Sequence, residues 1–330
     1  MTRIALLLGL AATLGATACD DPAATLPDAG PPPTPQALVE DADHPNGMVA
    51  DEHAVYWVTD SDAAREIRRL DLATGELTTL DRGLEGTRLL FGDADEVFYY
   101  TTGPREELRA LSRADGSKRV VSALGNGYLA IDDARIYFER GPSLDTPLTT
   151  AIVAIDKHAA GDATTLGEIP YGSTPVVAVD GTRVYAVGGD GVYSIDKQGG
   201  NPTRLIVVQQ GQPDVVNLAV DDDYVYASEE AAGLLVRARK DGSAPAETIA
   251  RGLSFPGRLA VDHGTVYLTI RGAVGVSTMG RLVAIAPDGT QTELAAAQPT
   301  IASIALLAHR VVWSVLGADN QPGAIMSEAR

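Results

Sequence analysis

A phrase of about ten residues returns seven times along this chain of 330 residues. It reads AVDDDYVYAS at 219–228, and its altered copies are VADEHAVYWV, FGDADEVFYY, AIDDARIYFE, AVDGTRVYAV, AVDHGTVYLT and ALLAHRVVWS. A branched residue marks each copy, and the spacing between these residues is 39 to 48: Val55, Val97, Ile136, Val184, Val225, Val266 and Val311. A period of this length, with several short strands in each unit, is typical of a β-propeller.

Each repeat predicts one antiparallel blade of four strands. The first strand, for example NLAV at 217–220, is apolar on both faces, and this pattern predicts full burial. A second strand (YVYAS) and a third (LLVRAR) follow, and a more polar fourth strand such as QTELA completes the unit. Glycine accepts the positive φ of short turns, and the turns before the fourth strands close at Gly75, Gly116, Gly161, Gly200, Gly242 and Gly289. We therefore predict an all-β, seven-bladed propeller of four-stranded antiparallel blades.

The two ends of the repeat region complement each other. The last unit contains three strands and then stops at Arg330, so its fourth strand is missing. The segment QALVEDADHP at 36–45 resembles the fourth strand of the preceding unit, TELAAAQP at 292–299. We predict that this N-terminal strand completes the seventh blade and closes the ring, which pairs two strand edges that would otherwise be exposed.

Two rows of recurring side chains have structural explanations. An aspartate stands where the first strand must turn into the second: Asp51, Asp93, Asp132, Asp180, Asp221 and Asp262, with Leu307 in the seventh copy. Aspartate caps such turns by accepting backbone N–H bonds, and one carboxylate per blade is too widely spaced for paired acid and base catalysis. The aromatic row is predicted to fill the wedges between blades, with stacking on a sugar as the alternative: Tyr56, Phe98, Tyr137, Tyr185, Tyr226 and Tyr267, with Val312 in the seventh copy.

No motif in the sequence indicates a catalytic centre. The chain lacks GxSxG, HExxH and P-loop motifs and any GxGxxG that follows a strand. Three of its five histidines fall in the first turns of separate blades, where we expect them to diverge too far for one metal ion: His53, His263 and His309. We predict no catalytic residue, no cofactor and no enzymatic activity. The net charge of −18 argues against nucleic acid as a partner, and we expect a monomer.

The N-terminus predicts export and attachment to a membrane. Eleven apolar residues at 4–14 follow Arg3; they are too few to span a bilayer but suit a signal peptide. The stretch LGATAC at 14–19 resembles a bacterial lipobox, which implies a signal peptide over 1–18 and lipidation at Cys19, the single cysteine. The proline-rich residues 19–35 then form a tether and 36–330 the propeller, held in the cell envelope on the periplasmic side or at the cell surface. The alternative is an ordinary secretory signal with an incidental cysteine.

The repeat region resembles bacterial lipoprotein propellers of the NHL and YVTN type. In addition, HPNGMVAD at 44–51 resembles a segment of the SMP-30-like gluconolactonases, which are six-bladed and use an asparagine to bind a divalent cation over the central channel. The resemblance implies a metal-dependent lactonase or hydrolase, with Asn46 and, by a weaker similarity, Asn217 as metal ligands. The glutamate and aspartate that this family also uses have no match in the chain.

A binding function is the preferred hypothesis. The residues at the start of the first strands vary in type from blade to blade, whereas the packing rows do not, and this contrast indicates side chains without a packing role. We expect them to face a protein or carbohydrate partner, with plain solvation of the loop ends as the alternative: Asn46, Arg88, Asn126, Ser173, Asn217, Arg258 and Ser303. The chain is therefore expected to be a non-enzymatic binding or scaffold module.

Overall fold

The strands follow the repeat. The computed structural model describes residues 34–60, 65–102, 106–123, 127–142, 148–159, 162–172, 174–208, 215–271, 279–317 and 322–330. The chain divides into two units, 1–32 and 33–330, and all described residues belong to the second. They form seven antiparallel sheets of four strands each, which confirms the predicted seven-bladed propeller. No helix among these residues is long and apolar enough to cross a membrane.

Strands within a blade are consecutive in sequence, and the first strand of each blade lies nearest the axis. The first blade contains β2 (Pro45–Ala50), β3 (Ala54–Thr59), β4 (Glu66–Asp71) and β5 (Leu77–Arg82). The second contains β6 (Leu90–Gly92), β7 (Glu96–Thr101), β8 (Glu107–Ser112) and β9 (Lys118–Ser122). The third contains β10 (Ala130–Ile131), β11 (Arg135–Arg140), β12 (Thr149–Asp156) and β13 (Thr164–Pro170). The fourth contains β14 (Val177–Val179), β15 (Arg183–Gly188), β16 (Gly191–Asp196) and β17 (Thr203–Val207).

The remaining blades repeat this order until the ring closes. The fifth blade contains β18 (Val215–Val220), β19 (Tyr224–Glu229), β20 (Leu234–Arg239) and β21 (Glu247–Ala250). The sixth contains β22 (Pro256–Asp262), β23 (Thr265–Ile270), β24 (Gly280–Ile285) and β25 (Gln291–Gln298). The seventh combines β26 (Ile301–Leu306), β27 (Arg310–Val315) and β28 (Ala324–Ala329) with the N-terminal strand β1 (Gln36–Val39).

The N-terminal strand closes the ring, as predicted. β1 is antiparallel to β28, with Gln36 opposite Ser327 and Val39 opposite Ile325. The segment after β1 is held as well, because the Ala42 N–H donates to the Gly323 carbonyl at 3.2 Å. The indole N–H of Trp57 in the first blade donates to the Ala42 carbonyl at 2.9 Å. The closing segment is thus bonded to both the last and the first blade.

The aromatic row packs between blades. A cluster of buried apolar side chains lies at each of the seven blade junctions. The six rings of the row are at most 7% exposed, and Val312 is fully buried. Burying a side chain of this size stabilises the fold by about 2–3 kcal/mol. The packing interpretation is confirmed, because rings enclosed in this way have no free face for a sugar.

The first strands are less buried than their sequences predicted. In β18, Val215 and Leu218 are buried, whereas Asn217, Ala219 and Val220 remain half-exposed. The prediction of full burial was therefore wrong. An apolar run can be enclosed by neighbouring sheets or can border a channel, and composition does not distinguish the two. These strands border the axial channel of the propeller.

The recurring aspartates cap their turns in five blades. Asp51, Asp93, Asp132, Asp180 and Asp221 each accept N–H bonds at 2.7–2.9 Å from the residues two and three positions further on. The same prediction is wrong for Asp262, whose carboxylate instead contacts the imidazole of His263 at 2.9 Å. His263 and Gly264 form a tighter two-residue turn with positive φ angles of 45° and 79°, which leaves no N–H for that cap.

The second carboxylate oxygen of five of the six aspartates links two blades. A lysine or arginine that follows the third strand of the next blade pairs with it at five junctions. The pairs are Arg113 with Asp51, Lys157 with Asp93 (2.7 Å), Lys197 with Asp132 (2.6 Å), Lys240 with Asp180 (2.8 Å) and Arg330 with Asp262 (2.7 Å). The tyrosine of the same blade also donates to this oxygen in three blades: Tyr137, Tyr185 and Tyr226. Most of the recurring aspartates therefore bond two blades together in addition to capping a turn.

Candidate binding site at the mouth of the central channel

The first strands are long on one side of the ring and short on the other. β18, β22, β26 and β2, which are consecutive around the axis, contain six or seven residues, and each has a β-bulge near its start. β6, β10 and β14 contain only two or three residues and pair without a bulge. Since a bulge turns side chains out of the regular alternation, half of the channel mouth has an irregular wall.

Side-chain hydroxyls and one glycine hold this irregular wall in place. Ser228 on β19 donates to the Gly257 carbonyl at 2.9 Å, and Ser314 on β27 donates to the Asn46 carbonyl at 3.2 Å. Ser303 donates to the same Asn46 carbonyl at 3.1 Å. Gly47 lies so close to the second blade that an added Cβ would approach the Arg88 carbonyl to 2.6 Å. The PNG stretch is thus required for blade packing here, whatever else it does.

Two cavities lie along the axis. The inner cavity, about 210 Å³, is lined by residues in the middle of the first strands, including Asn217 and Ser303. The outer cavity, about 360 Å³, is lined by residues at the very start of these strands and by loops around the mouth, including Asn46, Thr174 and Arg271. Among the described residues, only Tyr128 and Arg258 are common to the two linings. They therefore separate the inner cavity from the outer one.

Arg258 and Tyr128 meet across the channel from the sixth and third blades. The guanidinium carbon of Arg258 lies 4.9 Å from the centre of the Tyr128 ring, a cation–π contact. Phe91 packs against the other side of this contact: its ring meets the Tyr128 ring edge to face, with ring centres 6.4 Å apart and planes at 80°. Arg258 is half-buried, and no carboxylate of the described residues forms an ion pair with it. Its neighbour in the outer cavity, Arg271, is paired with Glu230.

The predicted ligand-facing residues do not all share one place. Asn217, Arg258 and Ser303 line the inner cavity, whereas Asn46 lines the outer cavity and donates its amide to Asp60 at 3.2 Å. Arg88 is exposed and borders a separate side cavity beside Tyr100 and Glu106. Asn126, Ser173 and Cys19 lie outside the described residues.

Asn46 and Asn217, the candidate metal ligands, border different cavities. In the part of the chain that the structure describes, no group of three or more His, Cys, Asp and Glu side chains is arranged to hold a metal ion. The two asparagines therefore do not line a common cavity, and neither adjoins such a group among the described residues.

Sequence reasoning missed Tyr128, although the repeat contains a signal for it. The residue four positions before the turn aspartate, or before Leu307 in the seventh copy, lines the inner cavity in all seven blades: Gly47, Leu89, Tyr128, Val176, Asn217, Arg258 and Ser303. The predicted row used unequal offsets and placed Asn46 and Arg88 where Gly47 and Leu89 lie. A constant offset would have found Tyr128, since strands of one fold type keep their register with the axis even where their lengths differ.

Comparisons with known proteins show the fold. No protein-family model matches the chain, and no curated protein sequence is significantly similar to it. Among solved structures, virginiamycin B lyase from Staphylococcus aureus is similar with a TM-score of 0.64 and 14% identity, covering 89% of this chain and 97% of that one. Oligogalacturonate lyase from Vibrio parahaemolyticus has a TM-score of 0.61 and 12% identity, covering 89% and 92%. The nidogen–laminin complex supplies a match with a TM-score of 0.51 and 14% identity, covering 71% and 90%. The fold is shared by lyases and by binding modules.

Proposed function

We propose that this protein is a non-enzymatic binding module of the cell envelope whose partner docks at the mouth of the central channel. The observation that carries the proposal is the half-buried Arg258 guanidinium, which lies on the Tyr128 ring without a carboxylate partner among the described residues. Such a guanidinium presents its N–H groups as a planar fork that fits a carboxylate. The partner would therefore supply a carboxylate, as an acidic carbohydrate or a polypeptide does.

The outer cavity offers further polar groups for such a partner. Its lining combines the Asn46 amide, the hydroxyls of Thr174, Thr269 and Thr300, and the Arg271–Glu230 pair. A few placed polar groups around one charged anchor are typical of pockets that fix a ligand's orientation. The volume of about 360 Å³ admits one sugar residue or one short side chain and thus a terminal group of a larger partner.

Titration with carboxylated and neutral ligands of equal size tests the proposal. We expect uronic acid oligosaccharides or peptides with a free carboxylate to bind more tightly than their neutral or amidated counterparts in calorimetry. Arg258→Met keeps the length of the side chain and should weaken the charged ligand by about tenfold or more. Arg88→Met removes an arginine of the side cavity and serves as the control. Equal binding of charged and neutral ligands, or unchanged affinity in Arg258→Met, would contradict the proposal.

We further propose that the module is anchored to the membrane through Cys19. The support is the lipobox-like LGATAC stretch and the run of prolines that follows it. Cys19→Ser in cells should abolish incorporation of labelled fatty acid and release the protein from the membrane fraction. Thr17→Ser introduces the same residue two positions earlier, keeps a small side chain there and is the matched control. Labelling that survives Cys19→Ser would show that the protein is not anchored in this way.

A further inference from the structure

Two blade junctions lack the inter-blade ion pair among the described residues, and the one between the fifth and sixth blades has lost only its cation. The cation stands directly after the third strand of its blade, and the residue at this position also donates its backbone N–H to a carbonyl in the first turn of the same blade. Six blades keep this N–H bond, at 2.8–3.2 Å, from Leu72, Arg113, Lys157, Lys197, Lys240 and Arg330. In the sixth blade, the pairing of Val266 with Ile285 places Pro287 at this position, as the pairing of Val225 with Ala238 places Lys240. Proline has neither the charge nor the N–H.

The partner carboxylate at this junction is nevertheless retained. Between the seventh and first blades, the aspartate and the cation are lost together, and Leu307 and Leu72 pack in one apolar cluster. Between the fifth and sixth blades, only the cation is lost, and Asp221 remains. Its Oδ1 accepts the turn N–H groups and its Oδ2 accepts the Tyr226 hydroxyl at 2.7 Å. Lys240 reaches the Asp221 backbone carbonyl but pairs its charge with Asp180.

An open cleft takes the place of the missing side chain. It has a volume of about 710 Å³ and lies at the turn end of the fifth and sixth blades, opposite the channel mouth. Its walls include Asp221, Tyr226, His263, Gly264 and Pro287. Of the other charged side chains in the lining, Asp262 pairs with Arg330 and Arg237 with Glu247. The exposed Asp222 and Asp223 also border the cleft. No basic side chain of the described residues pairs with Asp221.

We propose that this cleft binds the ammonium group of a lysine side chain from a basic polypeptide partner. The repeat supports this assignment independently of the acidity of the cleft, because the same aspartate oxygen binds a lysine ammonium at 2.6–2.8 Å at three other junctions. At one of them, the Lys197 ammonium also lies 5.5 Å from the centre of the Tyr137 ring, whose counterpart in the cleft is Tyr226. The cleft therefore keeps the carboxylate that receives an ammonium group at the other junctions, and none of the described residues supplies that group.

The internal repeat provides the test. Nα-acetyl-lysine methylamide and a short oligolysine peptide serve as probes, followed by NMR chemical shifts of the full chain and by calorimetry. Asp221→Asn should weaken binding by about tenfold or more. Asp132→Asn removes an equivalent carboxylate that Lys197 already occupies, and it should leave probe binding unchanged.

Pro287→Lys is the more telling variant, because it supplies the missing cation and N–H from within the chain. We expect it to raise the melting temperature and to abolish probe binding, whereas Pro287→Met, equal in length but neutral, keeps probe binding. Binding of either probe to Pro287→Lys at the affinity of the natural protein would overturn the proposal, as would unchanged binding to Asp221→Asn. Tighter binding of an arginine probe than of the lysine probe would overturn the assignment of the group to lysine.

Discussion

Glu139 is a buried acid in a position that other blades fill with neutral side chains. It is the fifth residue of β11, where the other second strands have Val58, Tyr100, Val187, Ser228, Thr269 and Ser314. Its side chain is only 6% exposed, and its Oε1 has no hydrogen-bond partner among the described residues. Burial raises the pKa of Glu139 to about 8, although N–H bonds from Val176 and Val187 oppose this shift. The carboxyl is therefore mainly protonated in the folded protein at neutral pH.

Glu139 should make the stability of the protein depend on pH. In the unfolded chain a glutamate has a pKa of about 4.3, so between this value and about 8 the folded state holds the additional proton. Raising the pH through this interval must then lower the free energy of unfolding. Glu139→Gln should leave the protein equally stable near pH 4 and make it more stable by about 1–3 kcal/mol at pH 8.

Urea unfolding of both forms from pH 4 to 9 measures this difference. Glu168→Gln, which removes an exposed glutamate from β13 of the same blade, is the control for loss of one negative charge. A stability difference that does not change with pH would show that Glu139 is not the group responsible.

At the scale of the strand and its turn, the recurring feature is an aspartate that caps the turn and forms an ion pair with the next blade. Lys197 approaches Asp132 to 2.6 Å, and the Tyr137 hydroxyl approaches the same oxygen at 2.8 Å. Burial by itself raises the pKa of Asp132, but the hydrogen bonds from Lys197, Tyr137 and two backbone N–H groups outweigh it and lower this pKa to about 2. The folded state therefore favours the ionised carboxylate.

A double-mutant cycle of Asp132→Asn and Lys197→Met should measure this pair. We expect a coupling free energy of about 1 kcal/mol or more at pH 7, because both side chains are largely buried. Since the folded pKa is lowered, the contribution is complete above the unfolded value of about 3.9 and is lost as the pH falls towards 2. Chemical unfolding at pH 7 and near pH 2.5 checks both values. A coupling near zero at pH 7 would contradict the prediction.

The sequence predicted those strands and turns that the repeat specifies, and it failed where the repeat is broken. The blade count, the closing strand and the packing of Tyr137 follow from residue types that recur with fixed physical roles. Asp262 is the exception because Gly264 allows a two-residue turn at this position. This turn differs from the first turns of the other blades in the positive φ angles of His263 and Gly264.

The site was harder to predict, because it arises from unequal first strands. Bulges occur near the starts of four of them, at Asn46 and Arg258 among other residues, and no residue type in the sequence indicates where they fall. The contact between Arg258 and Tyr128 also joins residues from opposite sides of the ring. Such a contact depends on the diameter of the whole ring, which a local pattern does not contain.

At the scale of the whole molecule, stability depends on one short strand. β1 has only four residues, but it satisfies one edge of β28, and Val39 and Ala42 beside it are 7% and 0% exposed. Without it, the seventh blade would present unpaired backbone groups, and the Trp57 indole would lose its acceptor at Ala42. The ring would still contain seven sheets, but one of them would be open.

Removal of this strand should therefore destabilise the entire propeller. A chain that begins at Asn46 should have a free energy of unfolding lower by about 3–6 kcal/mol than one that begins at Gln36, from lost apolar burial and lost hydrogen bonds. Thermal unfolding of the two forms gives the comparison, and a chain beginning at residue 26 tests whether the preceding segment matters. Equal melting temperatures for chains beginning at Gln36 and Asn46 would refute the closing role of β1.

The pairing of Gln36 with Ser327 also sets an order of events during synthesis. β1 is the first strand of the propeller to leave the ribosome, yet its partner β28 is the last, and nearly the whole propeller sequence separates them. The first six blades can assemble as their strands emerge, but the edge of the seventh cannot be covered until β28 has been translated. A chain cut short before Ala324 would lack β28, and its ring could not close. Such a chain would keep an exposed strand edge, which favours aggregation and proteolysis, whereas a chain that contains β28 covers this edge.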